Sequence, residues 1–410
     1  MSFWVDPYRF LLEWLRNLLI GWGLPADWAQ VVLFFVGAFA LGTAALLLVV
    51  FLIWLERKVV GRIQDRLGPN RVGPWGIFQT IADIGKIFTK EFITPVGVDW
   101  LLYNLAPVLS VGAVLMLWAV IPLTMTLYGV NLNVAVLYII AVGELGEMAV
   151  ILAGWGSNNK YAVLAAFRAV AQLISYEVPL IVTLLLPVMF AGSMGLNDIV
   201  QAQSVWFIFL APVTALIFFI VSIAEVGRAP FDLVEAESEL VSGFNIEYSG
   251  LKFGFFFVAD FLHAFTIALL FATLFLGGWR GPGAIQYPVL GFVYLMIKTS
   301  VVYFIVILLR ASLPRFRIDQ MMNLNWKLLT PLSMTILVLT ALLDKLLPSS
   351  PLFVRIVGMV VMNVLVLLIL NQILKLVENR HPRPVVAPVV RPVARPPQIS
   401  SVQNESGTSS

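Results

Sequence analysis

Nine stretches of this chain are apolar over the ~20 residues a helix needs to cross a bilayer, and no other feature constrains the fold as strongly. They lie near residues 29–55, 101–127, 133–154, 162–190, 205–224, 253–277, 287–310, 329–347 and 352–376. In hydrocarbon a backbone must satisfy its own polar groups, so such a chain folds as helices. The fold class expected is all-α: a polytopic transmembrane helical protein of about nine spans, with amphipathic cytoplasmic helices. Pro107 and Pro179 fall inside spans, where neighbouring helices can satisfy the carbonyls they free. Residues 1–28 read as an N-terminal amphipathic segment, 29–380 as the transmembrane domain, and 381–410 as a Pro- and Ser-rich tail, extended or disordered.

Composition excludes several function classes. Only 12% of the 410 residues are charged, against about 25% in soluble domains, so no large soluble domain is expected. A net charge of +3 is too small to suggest a nucleic-acid partner. The absence of cysteine removes thiolate-held iron–sulfur clusters, disulfides and Cys-based zinc sites. Of the two histidines, His381 lies in the tail, which excludes an intramembrane bis-histidine haem; His263 reads as a packing residue. Asp6, Arg9, Glu13 and Arg16 interrupt the first 25 residues, unlike a cleaved signal peptide.

Lys and Arg set the orientation. With the N-terminus outside, twenty of the 26 fall on the inner side, five (Arg9, Arg16, Arg280, Lys345 and Arg355) fall outside, and Lys298 lies within a span. The C-terminus is then cytoplasmic.

Two cytoplasmic segments carry pattern. The loop near 225–252 concentrates Glu225, Asp232, Glu235, Glu237, Glu239 and Glu247, with Arg228 the one cation up to Gly250. Phe231, Leu233, Val234, Leu240, Val241, Phe244 and Ile246 are interleaved with them, which argues for a packed segment rather than a solvated loop. Packed carboxylates raise one another's pKa. The loop near 56–100 contains "LGPNRVGPWG", a pair of tight turns. The segment Trp75–Phe92 after it repeats Ile77, Ile81, Ile84, Phe88 and Phe92 on one face of a helix. That helix either lies among lipid headgroups or walls a cavity opening from the membrane.

Ionisable residues also lie inside spans: Glu144, Glu147, Glu177, Asp260, His263 and Lys298. A charged, unpaired one costs about 2.5–3.5 kcal/mol at the bilayer centre on insertion scales. Lys298 can neutralise one acid, not all of them. Intramembrane acid chains are typical of proton pathways.

The motifs "ERK", "LGPNRVGPWG", "AD..K.FTKE", "SNNKYA", "FRAVAQ.ISYEVPL", "AEVGRAPFDLVEAESELVSGFNIEYSG" and "LRASLPRFRIDQMM" resemble the H subunit of respiratory complex I, the proton-pumping NADH:quinone oxidoreductase, over roughly residues 50 to 330. The resemblance implies a multi-pass subunit of a bacterial cytoplasmic membrane that carries no redox centre and is inactive alone. It would form the membrane part of a quinone chamber and begin an acidic path that couples quinone reduction to proton translocation. Its implied partners are peripheral-arm quinone-site subunits, neighbouring membrane subunits, quinone and lipid. FMN and iron–sulfur clusters would belong to other subunits.

Carried over residue by residue, the resemblance implies a chamber lined by Glu56, Arg57, Arg66, Arg228, Asp232, Glu235, Glu237, Glu239, Glu247 and Arg315. The amphipathic segment, with Phe78 and Phe88, is expected at the quinone entrance. Glu177 and Glu225 would lie on the proton path, and Glu144 and Glu147 join it on physical grounds. A stand-alone proton-coupled transporter would show internal repeats, and none is seen. The membrane subunit of a hydrogenase-type complex shares the scaffold, but the "GPNRVGP" and "ESELVSGFNIEYSG" segments together favour complex I.

Overall fold

The computed structural model describes residues 6–232, 243–346 and 352–380. Glu235, Glu237, Glu239 and the tail from 381 lie outside the described residues. The described residues contain no strand. Residues Met1–Val364 belong to one compact unit and Leu365–Ser410 to a second.

The chain opens with α1 (Pro7–Gly21), capped by Asp6, whose carboxylate accepts from the Arg9 amide at 3.2 Å. Next comes α2 (Ala26–Ile63), 38 residues long. At 1.5 Å per residue it extends ~57 Å, nearly twice the ~30 Å hydrocarbon core. It therefore overruns the span expected to end at 55, and Glu56 and Arg57 ride on helix where a loop was expected. Good helix formers across "LERK" let the helix continue.

The short amphipathic α3 (Gln79–Thr89) follows. Then come α4 (Trp100–Trp118), α5 (Ala135–Gly156), α6 (Lys160–Ala191), α7 (Leu196–Ala202), α8 (Phe207–Leu210) and α9 (Pro212–Glu225). The series ends with α10 (Gly250–Phe275), α11 (Pro288–Ser312), α12 (Ile318–Leu324), a π-helical turn over Asn325–Leu329, α13 (Thr330–Leu346) and α14 (Leu352–Arg380). Among the described residues, eight helices are long and apolar enough to cross a membrane; α12 to α13 count as one run, Ile318–Leu346.

The expected span at 205–224 differs. It breaks at Ala211, and α9 has only 14 residues, a rise of ~21 Å. Pro212 explains the break, because it lacks an N–H and favours the first turn of a new helix. Glu225 thereby closes a short helix.

The helices are joined by polar contacts across long sequence separations. Trp118 donates to Thr266 Oγ at 2.8 Å. The Tyr103 hydroxyl donates to the Glu247 carbonyl at 2.8 Å. Pro179 cannot bond the carbonyl four residues back, that of Ser175. The buried Asn325 amide, on the π-helical turn, donates to that carbonyl instead. Tyr176 adds a hydroxyl bond to the Met321 carbonyl at 3.0 Å. The proline that interrupts α6 is thus the place where α12 and the π-helical turn attach. α10 has the most enclosed spanning stretch and packs against α2, α4, α9 and α11.

Candidate functional site

The site begins with one carboxylate. Glu56 on α2 is buried at 5% exposure. Arg228, just past the end of α9, donates to both of its oxygens at 2.7 and 2.9 Å. Arg310, on the last turn of α11, donates to one of them, and the Tyr303 hydroxyl approaches the other at 3.3 Å. The Arg228 guanidinium also lies over the Phe261 ring, 4.4 Å from its centroid. Gln172 on α6, fully buried, donates to the carbonyls of Ala224 and Phe231 at 2.7 and 2.9 Å and holds the segment that presents Arg228.

Around this cluster opens a cavity of about 990 Å³. Of the expected chamber residues, Glu56, Arg57, Arg66, Arg228 and Asp232 line it. Four do not. Phe78 and Phe88 are exposed at 51% and 62% and do not line it, while α3 contributes Gln79 instead. Glu247 accepts from the Asn159 side chain at 2.7 Å, near the start of α6. Arg315 lies beyond α11, with its Nε and Nη2 buried and unpartnered among the described residues. Asp260, Arg310, Phe257 and Phe261 also line the cavity and were not expected there. Phe257, Asp260 and Phe261 recur at i, i+3, i+4 on α10, a spacing that flags one helix face.

The turns after α2 form the outer wall. A Cβ at Gly76, whose φ is +77°, would lie 2.3 Å from the Pro69 carbonyl oxygen, so only glycine allows the closure. Lys58 donates to the carbonyls of Pro69 and Trp75 at 2.8 and 3.1 Å. Arg57 pairs with Asp83 at 2.5 Å and fixes α3 against α2. Partial burial alone would raise the Asp83 carboxyl. The Arg57 hydrogen bond and charge, helped by Lys86 and Gln79, outweigh burial and hold it below its ordinary value.

The acids assigned to the proton path converge from three helices. Glu144 and Glu147 of α5, Glu177 of α6 and Glu225 of α9 all line one small cavity of about 30 Å³, together with His263. Carboxylate oxygens of Glu144, Glu147 and Glu177 lie within 4.8 Å of one another. A neighbouring cavity of about 70 Å³ is lined by Glu147, Glu225, Asp260 and His263. Asp260 also lines the large cavity, so the three cavities share walls in sequence. A cavity needs about 10–15 Å³ to hold a water, so each of the two small cavities has room for at least one.

Lys298 pairs with none of these acids. It donates to the carbonyls of Gly278 and Arg280 at 2.8 and 2.9 Å, in the α10–α11 connection. Its role as a neutraliser of an intramembrane acid is replaced by one as a loop clamp.

Fold and site together define a polytopic helical membrane protein with a large cavity beside a cluster of mostly half-buried acids. The NADH dehydrogenase family model matches residues 36–341. A relative from Geobacillus sp. (strain WCH70), named as the H subunit of NADH-quinone oxidoreductase, is 44% identical over 322 residues, 78% of this chain and 96% of its own. Proteins of the same name from Geobacillus kaustophilus and Bacteroides thetaiotaomicron are 47% and 40% identical, over 77% and 82% of this chain and 95% and 97% of theirs. The chain belongs to the NADH dehydrogenase family.

Proposed function

We propose that this chain is the quinone-chamber and coupling subunit of a proton-translocating NADH:quinone oxidoreductase. One observation carries the reading: a cavity of about 990 Å³ shares Asp260 with a small cavity, which in turn shares Glu147, Glu225 and His263 with one lined by four carboxylates from three helices. The large cavity is wide enough for a quinone head and part of its chain. Phe257, Phe261 and Leu67 give it apolar wall, and Arg66, Asn70 and Gln79 give it hydrogen-bond donors.

Reduction of a quinone takes up two electrons and two protons. The electrons would arrive from FMN and iron–sulfur clusters of partner subunits, in keeping with the lack of cysteine here. This chain would orient the quinone, and the charge change in the chamber would act on the carboxylates behind it. Asp260 faces both sides and would pass that change to Glu225 and Glu147, then to Glu177 and Glu144. The inner face of a bacterial cytoplasmic membrane suits the chamber, because Glu56, Arg228 and Arg310 lie at helix ends that the excess of Lys and Arg assigns to the cytoplasm. The peripheral-arm subunits would dock there.

The chamber half is tested by filling it. Phe257→Trp should raise the apparent KM for quinone in assembled enzyme, with NADH oxidation by an artificial acceptor unchanged. Unchanged quinone kinetics in that variant would place the substrate elsewhere.

A further inference from the structure

We propose that His263 is a proton-relay residue between the chamber side and the inner acid cluster. The inference rests on the reading that the buried acids carry protons. His263 stands one helical turn beyond Asp260 on α10, at i, i+3, so the two share a helix face. With Asp260, Glu147 and Glu225 it lines the cavity of about 70 Å³. With Glu144 and Glu177 it lines the cavity of about 30 Å³. It is therefore part of the wall that separates the chamber-side acid, Asp260, from the innermost pair.

A packing histidine usually has its ring nitrogens bonded to protein. No described residue hydrogen-bonds the ring of His263, and the two small cavities it lines carry these carboxylates on otherwise mostly apolar walls. Imidazole suits such a place chemically. It accepts a proton at one nitrogen and releases the other nitrogen's proton on the far side of the ring. The charged and titratable groups around it are Glu144 and Glu147 of α5, Glu177 of α6, Glu225 of α9 and Asp260 of its own helix.

The test uses the assembled complex in reconstituted vesicles. His263→Asn keeps a polar planar group of smaller size but cannot take a proton. It should lower coupled quinone reduction on the order of 100-fold, the low end for a positioned proton-transfer group. It should also change the shape of the pH–rate profile. His263→Ala should be partly restored by added imidazole, with a restoration that depends on pH. Wild-type rate, proton-to-electron ratio and pH profile in His263→Asn would overturn the inference. So would loss of assembly in both variants, which would make the residue a packing element. If His263→Asn is normal while Glu177→Gln is uncoupled, the acid path stands and only the relay falls. If both are normal, the acid path itself falls.

Discussion

Glu56 meets two guanidinium groups in a buried setting, so its loss is worse than the loss of one ion pair. Glu56→Gln would leave Arg228 and Arg310 facing each other without an anion. Breaking a buried pair from one side costs about 3–5 kcal/mol, and thermal unfolding of the purified complex should show it as a lowered midpoint or lost assembly. Arg228→Lys should fall between Glu56→Gln and wild type, because lysine keeps the charge but loses the planar guanidinium that lies over the Phe261 ring. A wild-type midpoint in Glu56→Gln would mean that water already compensates the site. Asn325→Leu offers a second check at this scale. It strands the Ser175 carbonyl freed by Pro179, at about 1–3 kcal/mol for an unsatisfied buried group. An unchanged midpoint there would show that the carbonyl finds another donor. The individual charges were legible in the sequence, but their partners were not. Glu56 and Arg228 are 172 residues apart, and no local pattern encodes a contact of that separation. Asp260 could have been found, since Phe257, Asp260 and Phe261 mark one face of α10.

At the scale of elements, α3 was legible because its apolar residues repeat with helical period. Its position was not, since the same stripe suits a headgroup helix or a cavity wall. The structure gives it a share in both. Ile81 and Phe88 are exposed on the outer side, while Gln79 lines the large cavity. Ile87 lies 3.2 Å from where a Cβ on Gly254 of α10 would sit, so a larger residue at this crossing would have to push Ile87 aside by a few tenths of an ångström. The Arg57–Asp83 pair makes the docking of α3 depend on pH. The Asp83 carboxyl is held below its ordinary value of 3.8. Its stabilising contribution is therefore full above that value and is lost as pH falls through the lower, folded-state value. The lack of native cysteine makes a single Cys at Gln79 a clean reporter. Its labelling rate should rise below pH ~4. With Asp83→Asn the rate should be high at every pH, and a flat low rate in that variant would show that packing alone holds α3. The stretch at 205–224 reads as one continuous span because its hydropathy outweighs Pro212, the one residue that says where the helix breaks.

For the molecule as a whole, the number of crossings decides the orientation. Eight helices among the described residues are long enough to span, and an even number of crossings would put both ends on one side. The twenty-to-five division of Lys and Arg places them on opposite sides only if the short α9 counts as a ninth crossing. A reporter fused after Gln403 should accordingly be active only in the cytoplasm; periplasmic activity would remove α9 from the count. The helical membrane class was fully legible from hydropathy. Convergence of Glu144, Glu147, Glu177 and Glu225 was legible only as a surplus of costly charges, since it takes α5, α6 and α9 to bring them together. That convergence is the basis of the proposed coupling role, and the proton-to-electron ratio tests it most directly. Glu177→Gln and Glu225→Gln are nearly isosteric with the protonated acids and should assemble normally. In reconstituted vesicles each should lower protons translocated per electron, with quinone reduction falling alongside where the steps are tightly linked. The double variant should be little worse than either single one, as for residues acting as a unit. Wild-type ratios and wild-type quinone reduction in both single variants would contradict the coupling role and leave the four carboxylates as structural polar groups.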